Sequence, residues 1–135
     1  MTETMTASKV IHSNERISIE LEDSGVAQVR LTRADKMNAL DEAMFAAIIE
    51  AGDLLDKTKG VRAVVLAGEG RAFCAGLDTS NFGRTPDASE PGLTERTYGN
   101  ANKWQQVAMT WRKLAVPVIA AVHGVCFGGG LQIAS

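Results

Sequence analysis

The sequence predicts an α/β fold, because segments typical of strands alternate with segments typical of helices along most of the chain. The prediction rests on two apolar runs, residues 61–67 and 116–122. Each run is followed by a turn of glycines and other small residues. A helix-like segment precedes each run, and this order favours a sheet with helical crossovers. Turns at the ends of such strands are where α/β sheets usually bind ligands.

The chain begins with a predicted pair of strands. Residues 17–22 and 26–31 each alternate apolar and polar side chains, as strands with one buried face do. Asp23-Ser24-Gly25 separates them as a turn, so we expect a β-hairpin. Residues 1–14 begin with a polar, acidic stretch, and we expect a flexible N-terminal tail there.

The first predicted helix covers residues 40–57. Asp41 lies near its positive end, Gly60 follows its last turn, and residues 61–67 then form the third strand. Apolar residues recur at helical spacing and define the face that we expect to be buried: Met44, Ala47, Ile48, Ala51 and Leu55.

A long loop and a second helix complete the pattern. Residues 79–98 are rich in glycine, proline and polar side chains, and loops of this length are often functional lids. Residues 102–114 predict the second helix, and residues 118–122 the fourth strand. An apolar stripe on this helix indicates core packing rather than an aromatic ligand cage; it consists of Trp104, Val107, Ala108 and Trp111.

Composition excludes several classes of function. The chain has 135 residues, 45% of them hydrophobic, and a net charge of −2, so a single core is expected and nucleic acid is not an expected partner. No apolar run is long enough to span a membrane, and the N-terminus lacks the features of a secretion signal. Cys74 and Cys126 form no metal motif, so we expect two reduced, buried thiols in a cytoplasmic protein with no metal and no cofactor.

Common ligand and catalytic motifs are absent on local grounds. A phosphate-binding loop counted from Gly124 would need lysine at position 130, and a dinucleotide fingerprint counted from Gly68 would need glycine where Phe73 stands. No serine has the Gly-x-Ser-x-Gly context of a hydrolase. His12 and His123 stand alone, and a turn or hydrogen-bonding role is expected for His123.

The two small-residue turns, residues 68–78 and 127–132, instead predict an oxyanion hole. Glycine lets a ligand approach the backbone closely, and a helix N-terminus offers unpaired N–H donors. Two such donors aimed at one carbonyl oxygen would stabilise the negative charge that develops on it during a reaction. The expected donors are the N–H groups of Ala75 and Gly129.

The chain resembles the enoyl-CoA hydratase/isomerase (crotonase) family from about Ile17 to its last residue. The resemblance rests on residues 71–78, residues 113–124 with the glycine triplet that follows, and Lys36-Met37-Asn38-Ala39-Leu40. It implies a spiral of ββα units, assembly as a homotrimer or hexamer, and an acyl-CoA thioester as substrate, with CoA carried by the substrate rather than as a separate cofactor.

The resemblance also implies roles for individual residues. The N–H groups of Ala75 and Gly129 would hold the thioester oxygen and stabilise an enolate-like intermediate. Residues 79–98 would lie near the acyl group. The backbone of five residues would contact CoA: Lys36, Ala39, Gly76, Leu77 and Asp78.

Two departures from the family pattern matter. Gln132 stands where the family's hydratases carry a glutamate, and an amide cannot exchange a proton near neutral pH. Hydration uses two carboxylates, whereas double-bond migration can proceed with one. The chain is also much shorter than its family, so we expect residues 15–135 to be the N-terminal portion of an incomplete crotonase-like domain, inactive alone.

Three interpretations stay open. The first is an enoyl-CoA hydratase or isomerase. The second is an acyl-CoA-binding or assembly subunit without chemistry, which Gln132 favours. The third, a soluble α/β domain of unrelated use, is disfavoured because three motifs occur in the family's order. An acid at the second catalytic position would distinguish the first from the second.

Overall fold

The structure is a computed structural model that describes residues 8–78 and 103–135. Its main sheet has five strands in the order β1-β2-β3-β4-β6, and β5 and β7 form a second, two-stranded sheet. The strands are β1 Ser8–Ser13, β2 Ile17–Glu22, β3 Val26–Leu31, β4 Ala63–Gly68, β5 Ala72–Cys74, β6 Val118–Ala121 and β7 Val125–Cys126. The helices are α1 Glu42–Lys57, α2 Lys103–Arg112 and α3 Gly129–Ala134, with a 3-10 turn at Ala34–Lys36.

The predicted hairpin is confirmed with its predicted bounds. β2 and β3 pair antiparallel, with Ile17 opposite Leu31 and Leu21 opposite Ala27. Their alternate side chains lie on the buried face, where all but the half-buried Leu21 are fully buried, because successive residues of a strand point to opposite faces of the sheet.

The expectation of a flexible tail over residues 1–14 is corrected, because most of its second half is a strand. Residues 8–13 form β1, which pairs antiparallel with β2 and shifts register between Val10 and His12. Val10 is 58% exposed, so this strand is held by backbone pairing more than by burial. An edge strand of that kind has no apolar alternation for a sequence pattern to detect.

Helix α1 begins two residues later than predicted, at Glu42. Asp41 is its N-cap, and the carboxylate accepts a hydrogen bond from the Met44 N–H at 2.8 Å. Leu40 lies outside the helix because it pairs with Leu77 in an isolated β-bridge. The predicted apolar face is confirmed as buried core: Met44, Ala47, Ile48, Ala51 and Leu55.

The rest of the main sheet is parallel, as expected for helical crossovers. β4 lies between β3 and β6 and pairs parallel with both. It begins at Ala63 rather than at residue 61, because the N–H of Arg62 donates to the Gly25 carbonyl in the turn before β3. β6 ends one residue before its predicted end.

Helix α2 packs closely against α1. Val107 and Trp111 of α2 are buried, which confirms the predicted stripe at those positions. A Cβ added to Gly52 of α1 would overlap Thr110 Oγ1, so the two helices approach where neither has a large side chain. The side chain of Trp104 and the predicted loop at residues 79–98 lie outside the described residues.

Candidate active site

The two glycine turns predicted to form a site lie in contact. The first predicted turn, residues 68–78, contains strand β5, and its last part, residues 75–78, follows that strand as the second turn follows β7. The two strands pair in parallel, with Cys74 opposite Cys126. The N–H of Phe127 donates to the Cys74 carbonyl at 3.1 Å. A Cβ built on Gly76 would lie 2.8 Å from the Phe127 carbonyl oxygen and 3.8 Å from the Gly129 nitrogen. The small second sheet, which the sequence analysis missed, is therefore what joins the turns.

A third segment, residues 37–40, lines the first turn. The Leu40 N–H donates to the Gly76 carbonyl at 2.7 Å, and the Asp78 N–H donates to the Leu40 carbonyl at 3.0 Å. The Ala75 N–H donates to the Met37 carbonyl at 2.9 Å. That bond occupies the donor assigned to the oxyanion hole, so the expected role of Ala75 does not fit this structure.

Unlike the Ala75 N–H, the Leu77 N–H donates to no acceptor within the described residues. The Gly76 carbonyl and the Leu77 N–H belong to one planar trans peptide group and point in opposite directions. Because the Gly76 carbonyl accepts from the Leu40 N–H, the Leu77 N–H points away from Leu40. Neither this N–H nor that of Gly129 meets an acceptor among residues 8–78 and 103–135. Leu77 is 46% exposed, so a ligand can reach this turn.

Small residues are required where the second turn enters α3. A Cβ on Gly129 would lie 2.8 Å from Leu40 Cδ1, and a Cβ on Gly130 would lie 2.5 Å from the Cys74 carbonyl oxygen. Gly76 has a φ of +92°, a backbone conformation that side chains disfavour. Close packing of three backbone segments explains these glycines.

Asn38 ties the third segment to the turn before β5. Its side-chain N–H₂ donates to the carbonyls of Glu69 at 3.0 Å and Ala72 at 2.9 Å, and its Oδ1 accepts from the Arg33 N–H at 2.9 Å. The residue is fully buried and has a φ of +56°. The sequence analysis gave Asn38 no role of its own, although asparagine tolerates a left-handed backbone better than most residues.

The thiol of Cys74 is buried beneath the first turn. Its Sγ donates to the Asn38 carbonyl at 3.1 Å. Burial raises the pKa of the Cys74 thiol to about 11; a hydrogen bond from the Gly76 backbone lowers it and the nearby Cys126 raises it further. The thiol is therefore protonated at neutral pH. Cys126 is half-buried, which corrects the expectation of two buried thiols.

A group of two arginines and two aspartates borders the third segment. Arg33 Nη1 lies 2.6 Å from Asp78 Oδ2 and 3.4 Å from Asp41 Oδ2. Arg16 donates twice to Asp41, at 2.9 and 3.2 Å. Burial by itself would raise the pKa of Asp41, but hydrogen bonds from Arg16 and the Met44 N–H and the charge of Arg33 hold it below its usual value.

Four of the five expected CoA-contacting residues lie together. Ala39, Gly76, Leu77 and Asp78 belong to the two segments that pair at the bridge, and Arg33 Nη1 donates to both the Ala39 carbonyl and the Asp78 carboxylate. The fifth residue, Lys36, lies exposed in the 3-10 turn. The Asp78 side chain faces Arg33, and the Asp78 N–H donates to the Leu40 carbonyl.

The family model for enoyl-CoA hydratase/isomerase matches residues 21–135. The chain belongs to the enoyl-CoA hydratase/isomerase family. It is 36% identical over 116 residues to the hydroxycinnamoyl-CoA hydratase-lyase of Pseudomonas fluorescens, covering 86% of this chain and 41% of that enzyme. It is 30% identical over 128 residues to the mitochondrial Delta(3,5)-Delta(2,4)-dienoyl-CoA isomerase of Rattus norvegicus, covering 92% of this chain and 39% of that enzyme.

Solved structures show the same fold. The enoyl-CoA hydratase of Mycobacterium smegmatis is 36% identical, with a TM-score of 0.71 over 89% of this chain and 44% of that enzyme. The predicted family and the crotonase-like α/β fold are confirmed. The chain spans about two fifths of the length of the two curated relatives.

Gln132, which the family resemblance places at a glutamate position of the hydratases, is exposed on the short helix α3. It borders a cavity of about 540 Å³ between β6, α2 and α3. Most of the residues that line it are apolar, with Trp111, Leu114 and Val118 among them, and neither Leu77 nor Gly129 lines it. Gln132 thus lines this cavity and belongs to the same short helix as Gly129.

Three remaining sequence-based expectations concern His123, metal ions and membrane spans. The His123 Nε2 lies 2.7 Å from the Gly70 carbonyl and must be the donor, which confirms a hydrogen-bonding role. Among the residues that the structure describes, no three metal-ligating side chains gather. None of the helices in the described ranges is long and apolar enough to cross a membrane.

Proposed function

We propose that the protein acts on acyl-CoA thioesters as an enoyl-CoA hydratase or isomerase, and that it stabilises an enolate-like intermediate in a backbone oxyanion hole. The observation that supports this most is the pair of N–H groups at Leu77 and Gly129. They belong to touching turns and have no acceptor among the described residues. Donors held in place before the reaction stabilise developing charge without reorganisation.

Leu77 replaces Ala75 in this proposal, while Gly129 keeps its role. The Leu77 and Gly129 N–H groups would hold the thioester oxygen, and the Ala75 N–H would instead fix the turn through Met37. Lys36 and the backbone of Ala39, Gly76 and Asp78 would contact the CoA part of the substrate. CoA arrives as part of the substrate, so no separate cofactor is required.

Gln132 favours double-bond migration over hydration. An amide donates and accepts hydrogen bonds but does not exchange a proton at neutral pH, so it cannot serve as one of two acids. One of the relatives is named as a dienoyl-CoA isomerase, and we extend that reaction type to this protein. A second candidate is a non-catalytic acyl-CoA-binding or assembly subunit, which the same glutamine favours.

The assembly and location belong to the same proposal. We expect a cytoplasmic homotrimer or hexamer that binds neither nucleic acid nor membranes. Sedimentation equilibrium of the protein expressed from its complete reading frame measures the oligomer, and a monomer at micromolar concentration would contradict this expectation.

The deciding experiment compares two substitutions at Gly129. Gly129→Ala and Gly129→Pro both place a Cβ against Leu40 Cδ1, but only proline removes the N–H. Gly129 is the first residue of α3, a position that tolerates proline. We expect proline to lower kcat about 10²–10³-fold more than alanine, the usual effect of losing one oxyanion-hole donor.

A panel of enoyl-CoA thioesters is assayed both for hydration and for double-bond shift. Equal rates for the two variants would refute the role of the Gly129 N–H. Substrate binding by a protein that turns over none of the thioesters would favour the non-catalytic alternative.

A further inference from the structure

The guanidinium of Arg33 lies between the two segments that pair at the candidate site. Its side chain is only 13% exposed. Nη1 donates to the Ala39 carbonyl at 3.1 Å and to Asp78 Oδ2 at 2.6 Å. One cation therefore contacts the third segment and the first turn at the same time.

These contacts are made by the residues next to the β-bridge between Leu40 and Leu77. Ala39 immediately precedes Leu40, and Asp78 immediately follows Leu77. The two bridge hydrogen bonds, from the Leu40 N–H and from the Asp78 N–H, lie between the points that Arg33 holds. The direction of the Leu77 N–H depends on those bonds, so it depends on the geometry that Arg33 maintains.

The neighbouring arginine does not duplicate these contacts. Arg16 donates to Asp41, whereas Arg33 is the arginine paired with Asp78 in the described residues. The Asp78 carboxylate is 12% exposed, and its contact with Arg33 at 2.6 Å ties the first turn to the third segment. Losing that contact removes a charge-assisted hydrogen bond that holds the turn in place.

We propose that Arg33 is a positioning residue of the acyl-CoA site, which fixes the pairing of Leu40 with Leu77 and thereby aims the Leu77 N–H at the thioester oxygen. This inference rests on the proposed function. Arg33 touches no substrate atom in this role, and it acts through the backbone. A donor displaced by about 1 Å can reduce a rate about 10²-fold.

The test uses Arg33→Met in the protein expressed from its complete reading frame. Because the donor acts on the transition state, we expect kcat to fall about 10- to 100-fold while KM changes less than about threefold. Arg33→Lys retains the charge but not the planar fork of donors, and it should recover part of the lost kcat. Arg30→Met is the matched control, because Arg30 lies exposed on β3, and it should leave both constants unchanged.

A second pair of measurements separates positioning from general loss of structure. In Arg33→Met the amides of Leu40 and Asp78 should exchange hydrogen faster, while the Val29 amide in the hairpin keeps its protection. Asp78→Asn should lower kcat as well, and the double variant with Arg33→Met should be no worse than the worse single variant, because both remove the same ion pair.

The possible outcomes distinguish an error in the role of Arg33 from an error in the proposed function. An unchanged kcat in folded Arg33→Met, or a rise in KM alone with Leu40 and Asp78 still protected, overturns the role of Arg33. If Arg33→Met does not fold, an unchanged kcat in Asp78→Asn overturns it. Equal rates for Gly129→Pro and Gly129→Ala, or no turnover by the unmodified protein, overturn the proposed function and this inference with it.

Discussion

Replacing Gly76 by alanine tests the packing that joins the two turns. Gly76 has a φ of +92°, which costs a residue with a Cβ about 1–2 kcal/mol. The new Cβ would also lie 2.8 Å from the Phe127 carbonyl oxygen, and that oxygen belongs to backbone rather than to a flexible side chain. Forcing an extra group into such packing costs about a further 1–3 kcal/mol.

Gly60→Ala is the matched control. Gly60 has a nearly identical φ of +90°, but a Cβ there meets no atom within 4 Å. It should therefore show the backbone cost alone, about 1–2 kcal/mol, whereas Gly76→Ala should lose about 2–5 kcal/mol in total. The difference between the variants isolates the contact with Phe127.

Urea unfolding measures the stability of both variants, and steady-state assays measure kcat on an enoyl-CoA thioester. Gly60→Ala should retain the kcat of the unmodified protein, because Gly60 follows α1 away from the site. Gly76→Ala should also lower kcat, because the Gly76 carbonyl accepts the Leu40 N–H that orients the first turn. Equal destabilisation by the two substitutions, with kcat intact in both, would refute the claim that the turns are packed against each other.

Three further predictions concern Asp41, Cys74 and Gln132. The folded-state pKa of Asp41 lies below its unfolded value of about 3.9, so its stabilisation is fully present above the unfolded pKa and is lost as pH falls through the folded-state pKa. Asp41→Asn should cost about 1 kcal/mol at pH 7 and less at pH 3 in urea titrations, and an equal loss at both pH values would contradict this. With a pKa of about 11, the Cys74 thiol should react with iodoacetamide far more slowly than Cys126 at pH 8, as peptide mass spectrometry measures, and the rates should converge in denaturant. Gln132→Glu should raise the hydration rate without changing CoA binding, whereas an unchanged rate would place the limiting acid elsewhere in the protein.

Local patterns predicted the parts of the fold that depend on neighbours in the chain. The alternation in residues 17–31 is sufficient for the hairpin, because period-two burial is a property of each strand. The apolar spacing and Asp41 located α1 to within two residues, since capping involves residues next to the helix end. β1 was missed although it pairs with the next strand, β2, because it is an exposed edge strand with little apolar alternation. The short β5–β7 sheet was missed because its two strands are far apart in the sequence.

The candidate site shows the same division more sharply. The glycine turns and the family resemblance predicted roles for Gly129 and the residues near Asp78, and they predicted the first donor at Ala75. Whether an N–H is available depends on where its hydrogen bond goes, and the Ala75 N–H is taken by Met37. The orientation of the Asp78 carboxylate toward Arg33 likewise follows from a contact between distant segments.

By itself the sequence determined the family, the alternating strand and helix order, and the location of two turns suited to an oxyanion, because glycine content and periodicity are local properties. Only the tertiary structure decided which N–H of the first turn is left without a protein acceptor and which charged residue contacts that turn. Those outcomes depend on how three separate backbone segments share a limited set of hydrogen-bond partners, and that sharing exists only once the segments have packed together.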